Sequence, residues 1–161
     1  MKKYILSLFV ALATLTLSSC LDGNLESLPT FDDAEISNVR YADYRWKSST
    51  ETVLGGEAAT YKQVLNVEES KKVSDGNIEV KISVPLASGN FTSSVRSQVN
   101  VKNIALAVTI STAARIEPID GAPTLGIPGD WSKPNKYRVT AADGKTKKEW
   151  TITVTNFRFV E

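Results

Sequence analysis

The sequence predicts an all-β fold, an immunoglobulin-like antiparallel β-sandwich carried behind an N-terminal signal peptide and a short tether. Three observations lead there. Apolar residues recur at every second position in several runs, the period of strands with one buried face. Clusters of Gly, Asn, Asp and Pro separate those runs at turn spacing. Beyond the N-terminus no stretch repeats apolar residues at helical spacing, although Thr92 to Gln98 has room for a turn or two. Six or seven short strands in about 130 residues fit two packed layers, with a closed barrel as the structural alternative.

The first nineteen residues are of another kind. Lys2 and Lys3 form a basic start, Tyr4 to Leu17 an apolar run, and Ser18-Ser19 a small-residue end, the layout of a signal peptide. A membrane-spanning helix takes about 20 apolar residues, so this run is short for an anchor. Cys20, the only cysteine, follows directly. Leu17-Ser18-Ser19-Cys20 resembles the lipobox of bacterial lipoproteins, in which the thiol receives a diacylglycerol and the chain is cut just before it. The resemblance implies lipidation of Cys20; ordinary secretory cleavage with a free thiol is the alternative. Two or three acyl chains, at about 0.8 kcal/mol per buried methylene, would give near-permanent attachment. The expected organisation is a signal peptide at 1–19, the lipidated cysteine and tether at 20–33, and the sandwich at 34–161. Gly23, Asn24, Ser27 and Pro29, without periodicity, support the tether.

In the domain itself, Val39 and Tyr41 are followed by Tyr44 and Trp46, a change of parity around Ala42 and Asp43. A β-bulge absorbs one residue there, or two short strands meet. Val64, Leu65 and Val67 form a weaker strand, and Gly55-Gly56 before them a turn. Ile78, Val80, Ile82 and Val84 alternate with Glu79, Lys81 and Ser83, opened by Asp75-Gly76-Asn77 and closed by Pro85. Ile104, Leu106, Val108 and Ile110 alternate with small residues, as in a strand covered on both sides. Tyr137 and Val139 lead through Asp143-Gly144-Lys145 to Trp150, Ile152 and Val154, a hairpin with its turn signal at the tip.

Residues 117–144, with Pro118, Asp120-Gly121, Pro123, Pro128, Asp130-Trp131-Ser132, Pro134 and Tyr137-Arg-Val-Thr-Ala-Ala-Asp-Gly144, are followed by Trp150-Thr-Ile-Thr-Val. This segment resembles the C-terminal signature of immunoglobulin-like domains in Bacteroidetes surface lipoproteins. Several such families are known only as domains of unknown function, and they often accompany glycan-uptake systems. The resemblance implies a lipid-anchored protein of the cell envelope, at the outer membrane, on its periplasmic or its surface face. Asp22 and Glu26 are too sparse to form an acidic export run after the cysteine.

Composition removes several function classes. Without residues 1–19 the chain keeps 142 residues and 17 Lys and Arg against 18 Asp and Glu. No basic footprint for nucleic acid is left. The absence of histidine removes histidine-dependent triads, histidine-bearing zinc sites and the commonest general base near neutral pH. No phosphate loop of the G-x-x-x-x-G-K form and no calcium loop of the D-x-D-x-D-G form occurs; Asp32-Asp33 with Glu35 is only a short acidic run. No catalytic residue, metal ligand or cofactor is therefore predicted. A pair of glycosidase-type carboxylates would meet only in the fold, but the acids fall mostly in turns or on outward strand positions.

Aromatic side chains are the remaining candidates for ligand binding: Tyr41, Tyr44 and Trp46, with Tyr61 nearby, and Trp131. A parity change at Ala42-Asp43 must turn one aromatic pair outward unless the sheet is covered. Exposed Tyr and Trp beside Arg40, Arg45 and Lys47 would stack on sugar rings or meet a protein partner. Burial of both pairs between sheets is the competing reading, and Trp131 reads first as a plug in the core. The expected function is a non-catalytic binding or assembly module, held at a membrane through its N-terminal lipid and touching a glycan or an envelope protein complex. A carboxylate-dependent carbohydrate-active enzyme and a structural spacer are the alternatives.

Overall fold

A computed structural model describes residues 31–161, so the predicted signal peptide, Cys20 and residues 21–30 of the tether lie outside the described residues. Seven strands and one helical turn make up the fold: β1 (Ile36–Thr52), β2 (Ala58–Ser74), β3 (Asn77–Val84), α1 (Ser93–Arg96), β4 (Ile104–Ile110), β5 (Arg115–Ile119), β6 (Asn135–Thr140) and β7 (Lys147–Phe159). They form one sheet in the order β4-β1-β2-β3-β7-β6-β5. The all-β expectation holds, but the sheet is not antiparallel throughout. β3 and β7 run parallel, with Ile78 opposite Ile152 and Val80 opposite Val154. The sheet is mixed because β7 returns beside β3 only after a long crossover through β4, β5 and β6.

β1 and β2 carry the curvature. Each is 17 residues long and is shared between two neighbours. β1 gives Ile36–Tyr44 to β4 and Ala42–Thr52 to β2, while β2 pairs with β1 up to Leu65 and with β3 from Asn66. The β5–β6 connection then reaches back to the far edge. Gly126 N donates to Leu106 O at 2.8 Å, Gly129 N to Ile104 O at 3.0 Å and Trp131 N to Val101 O at 2.9 Å. The first two satisfy part of the open edge of β4, the third ties the connection to the loop before that strand, and the sheet is nearly closed into a barrel.

The interior comes from the alternating positions. Ile78, Val80, Ile82 and Val84 of β3, Ile104 and Leu106 of β4, Tyr137 and Val139 of β6, and Trp150 and Ile152 of β7 are all buried. Each such aliphatic side chain contributes about 1.5–3 kcal/mol by leaving water. The turn signals act as their chemistry requires. Gly144 has φ +69° at the β6–β7 tip, where Asp143 Oδ1 accepts from Lys145 N and Thr146 N, both at 2.8 Å. Thr92 caps α1 by accepting from Val95 N. Among the described residues no helix is long and apolar enough to cross a membrane.

Candidate functional site

The parity change in β1 is a bulge inside one continuous strand. Val39 and Tyr41 face Val108 and Ala107 of β4, so Arg40 is the extra residue, two positions before Ala42. Beyond it Tyr41, Asp43 and Arg45 share the outer face, and Ala42, Tyr44 and Trp46 the inner one. Tyr41 lies outside the site, with the Lys62 ammonium 5.7 Å from its ring centre. Asp43 is buried on the outer face, where Arg45 grips it at 2.7 and 3.1 Å and also donates to Gly126 O at 2.8 Å. Hydrogen bonding to Asp43 raises the already high pKa of the guanidinium.

The inner face carries an aromatic stack. Trp46 lies 5.9 Å from Tyr44 and 5.7 Å from Tyr61, its cross-strand partner, with ring planes inclined by 14° and 30°. Phe91 leans against it at 5.7 Å. Tyr44 and Phe91 are buried, which raises the Tyr44 phenol pKa, whereas Trp46 and Tyr61 are only half-buried. Solvent therefore reaches the stack at Trp46 and Tyr61. Trp131 is not an open platform: it is 1% exposed, and its indole nitrogen donates to Ile104 O at 3.0 Å. That is the core plug, stacked on Tyr137 at 6.1 Å.

A further irregularity of β1, near its C-terminal end, shapes the wall of the site. Between Lys47 and Thr52 β1 advances five positions while β2 steps back two, from Thr60 to Ala58. The surplus residues bow out as Ser48 to Glu51, with Ser48 Oγ accepting from Thr50 N at 3.2 Å and Glu51 N at 2.9 Å. Facing this wall is the segment from Gly89 to Gln98 with α1. Between them lies a groove of about 690 Å³, within the range that holds small-molecule ligands. Its rim is hydroxyl- and amide-rich, with Ser49, Thr50, Thr92, Ser94, Asn90 and Gln98. Glu51 accepts a hydrogen bond from the Tyr61 phenol, and that contact raises the phenol's pKa.

The structure thus gathers Tyr44 and Trp46 of the predicted set with Tyr61, and leaves Tyr41 and Trp131 elsewhere. Phe91 and Glu51 were not singled out in the sequence. Phe91 sits alone in Gly89-Asn90-Phe91-Thr92, with no periodic partner, and Glu51 lies in a polar run that reads as loop. Among the described residues no three acidic, histidine or cysteine side chains come together in a way that would ligate a metal ion.

The DUF5018-related family matches residues 36–153 of the chain, from the start of β1 into β7. A protein of Bacteroides fragilis provisionally described as secreted has a crystal structure similar to this one. It is 36% identical over 81% of this chain and 99% of its own, with a TM-score of 0.69. A second protein, from Bacteroides thetaiotaomicron and provisionally described as a glycoside hydrolase, is 20% identical over 81% of this chain and 27% of its own, with a TM-score of 0.42. No curated protein matches the chain.

Proposed function

The chain belongs to the DUF5018-related family, and from that premise we propose that it is a non-catalytic module of the cell envelope that binds glycan in the groove at Trp46. The observation that carries this is the aromatic stack itself. Half-buried Trp46 rests on buried Tyr44 and Phe91 and carries half-buried Tyr61 on its own ring, so an apolar aromatic surface is held in place beneath a rim of hydroxyls and amides. Sugar rings pair an apolar C–H face with a girdle of hydroxyls, and that combination suits such a surface. A two-carboxylate hydrolase is less well supported, since Glu51 is the one carboxylate lining the groove among the described residues.

Location outside the cytoplasm is supported by the similarity to the provisionally secreted Bacteroides fragilis protein. Attachment through Cys20 rests on the sequence from Lys2 to Cys20 alone. Mass spectrometry of the native protein would show a chain starting at Cys20 with added acyl mass, and an unmodified thiol would refute the anchor. The groove is tested by Trp46→Ala in the chain that follows Cys20. Oligosaccharides found on a glycan array should lose about tenfold or more in affinity by calorimetry, equivalent to about 1.4 kcal/mol. Unchanged binding would remove the groove from the function.

A further inference from the structure

Glu51 gives the groove a chemical preference that aromatic stacking by itself would not. Its carboxylate accepts from the Tyr61 phenol at the outer end of the stack. None of the ion pairs among the described residues includes it. Two basic residues border the groove, Arg45 and Lys47, but both fall on the strand positions that alternate with Trp46. Arg45 is committed on the outer face to Asp43 and to Gly126 O. The inner side of the groove therefore combines a carboxylate that makes no ion pair among the described residues with aromatic rings whose faces are electron-rich. A phenol, an indole and a carboxylate in one place favour a cation, through ring quadrupole and Coulomb attraction together.

Building on the glycan reading, we propose that the groove selects amino sugars, with a free ammonium group on the ring lying between the Glu51 carboxylate and the Trp46–Tyr61 surface. The ring's apolar face stacks as any hexose would. The ammonium replaces water at Glu51 and donates to the oxygen that Tyr61 does not occupy. N-acetylation would abolish the effect, because an amide carries no charge and adds bulk at that point.

The experiment uses the chain that follows Cys20 and three tetrasaccharides of one backbone geometry: β-1,4-linked glucosamine, its N-acetylated form, and β-1,4-linked glucose. Calorimetry at pH 6 should show the glucosamine form binding about tenfold more tightly than the other two, with an affinity that falls as salt rises. Glu51→Gln should reduce that preference to within about twofold and remove its salt dependence while leaving binding of the glucose form intact. Trp46→Ala should weaken all three. Equal affinities for the three, tighter binding of the acetylated form, or a preference that survives Glu51→Gln would overturn the amino-sugar inference and leave the glycan groove standing. Failure of all three to bind would reject both for this backbone geometry. Should Glu51→Gln unfold, the salt dependence of the unsubstituted chain decides: a glucosamine affinity indifferent to salt excludes the ammonium–carboxylate contact.

Discussion

At the scale of single residues, Asp43 shows how a charge is kept inside a β-rich protein. Its side chain is 2% exposed while that of its partner Arg45 is 37% exposed, so the pair spans the boundary between interior and water. Removing the guanidinium would leave a buried carboxylate without compensation. Breaking a fully buried pair costs about 3–5 kcal/mol and an exposed one less than about 1 kcal/mol, so Arg45→Ala is expected to cost about 2 kcal/mol. Urea unfolding measures this, and Asp43→Ala added to Arg45→Ala should cost less than the sum of the two, since the stranded charge is gone. A loss below about 0.5 kcal/mol for Arg45→Ala would mean that the pair is already solvated. The sequence reads Arg45 as a basic neighbour of the aromatic candidates and not as a partner for Asp43. What marked them was the parity change they follow, since Tyr41 and Tyr44 cannot both face inward along one regular strand.

At the scale of elements, what was readable depended on whether burial is one-sided. β3 and the β6–β7 hairpin largely bury alternate residues, while β4 buries Ile104, Ala105 and Leu106 in a row, and the small residues between its aliphatic ones mark it as covered on both sides. β2 extends well beyond Val64, Leu65 and Val67: its burial alternates from Thr60 to Glu68, but Gln63 faces inward and Val64 outward, and the residues after Glu68 are mostly exposed on both faces, so the apolar period is lost. β5 contains Pro118, which reads as a break; it is tolerated because β5 is the last strand of the sheet and one of its edges has no strand partner. The sequence admits a closed barrel as an alternative to the sandwich but cannot choose it, because the near-closure is made by backbone amides of the β5–β6 connection, which carry no signature in side-chain type. Gly129 is the sensitive point there. A methyl group added to it would meet Pro123 Cβ at 2.3 Å, and the connection would have to leave β4 to make room. Gly129→Ala should therefore cost about 1–3 kcal/mol and accelerate hydrogen exchange at the Gly129 amide, which donates to Ile104 O. Unaltered exchange there would show that the proline yields instead.

At the scale of the whole molecule, the segment before β1 is fastened to four parts of the chain. Phe31 O accepts from Asp143 N at 3.2 Å, Ala34 O from the Trp150 indole at 2.9 Å, and Glu35 exchanges bonds with Ser111. Lys72 and Lys148 bridge Glu35 and Asp75 while lying 4.9 and 4.8 Å from the Trp150 ring centre. Burial raises the Glu35 pKa, but the hydrogen bonds from Lys148 and Lys72 outweigh it and leave the carboxyl below its ordinary value. The Lys148 contact holds Asp75 low as well. Because both folded values are depressed, the stability they lend is complete above the unfolded pKa values and is lost as pH falls through the folded ones. Thermal midpoints should be flat from about pH 7 to 5 and drop below about pH 4, with a shallower drop in Lys148→Met. An identical acid profile in that variant would exclude the network as the cause. β1 starts at this fastening and, at its seventeenth residue, ends beside the wall of the groove. A pull applied to a ligand in the groove and resisted at Phe31 would run along the backbone of β1, from Trp46 back to Ile36. The strand that shapes the groove would then also carry the tension between a held ligand and the segment before the domain.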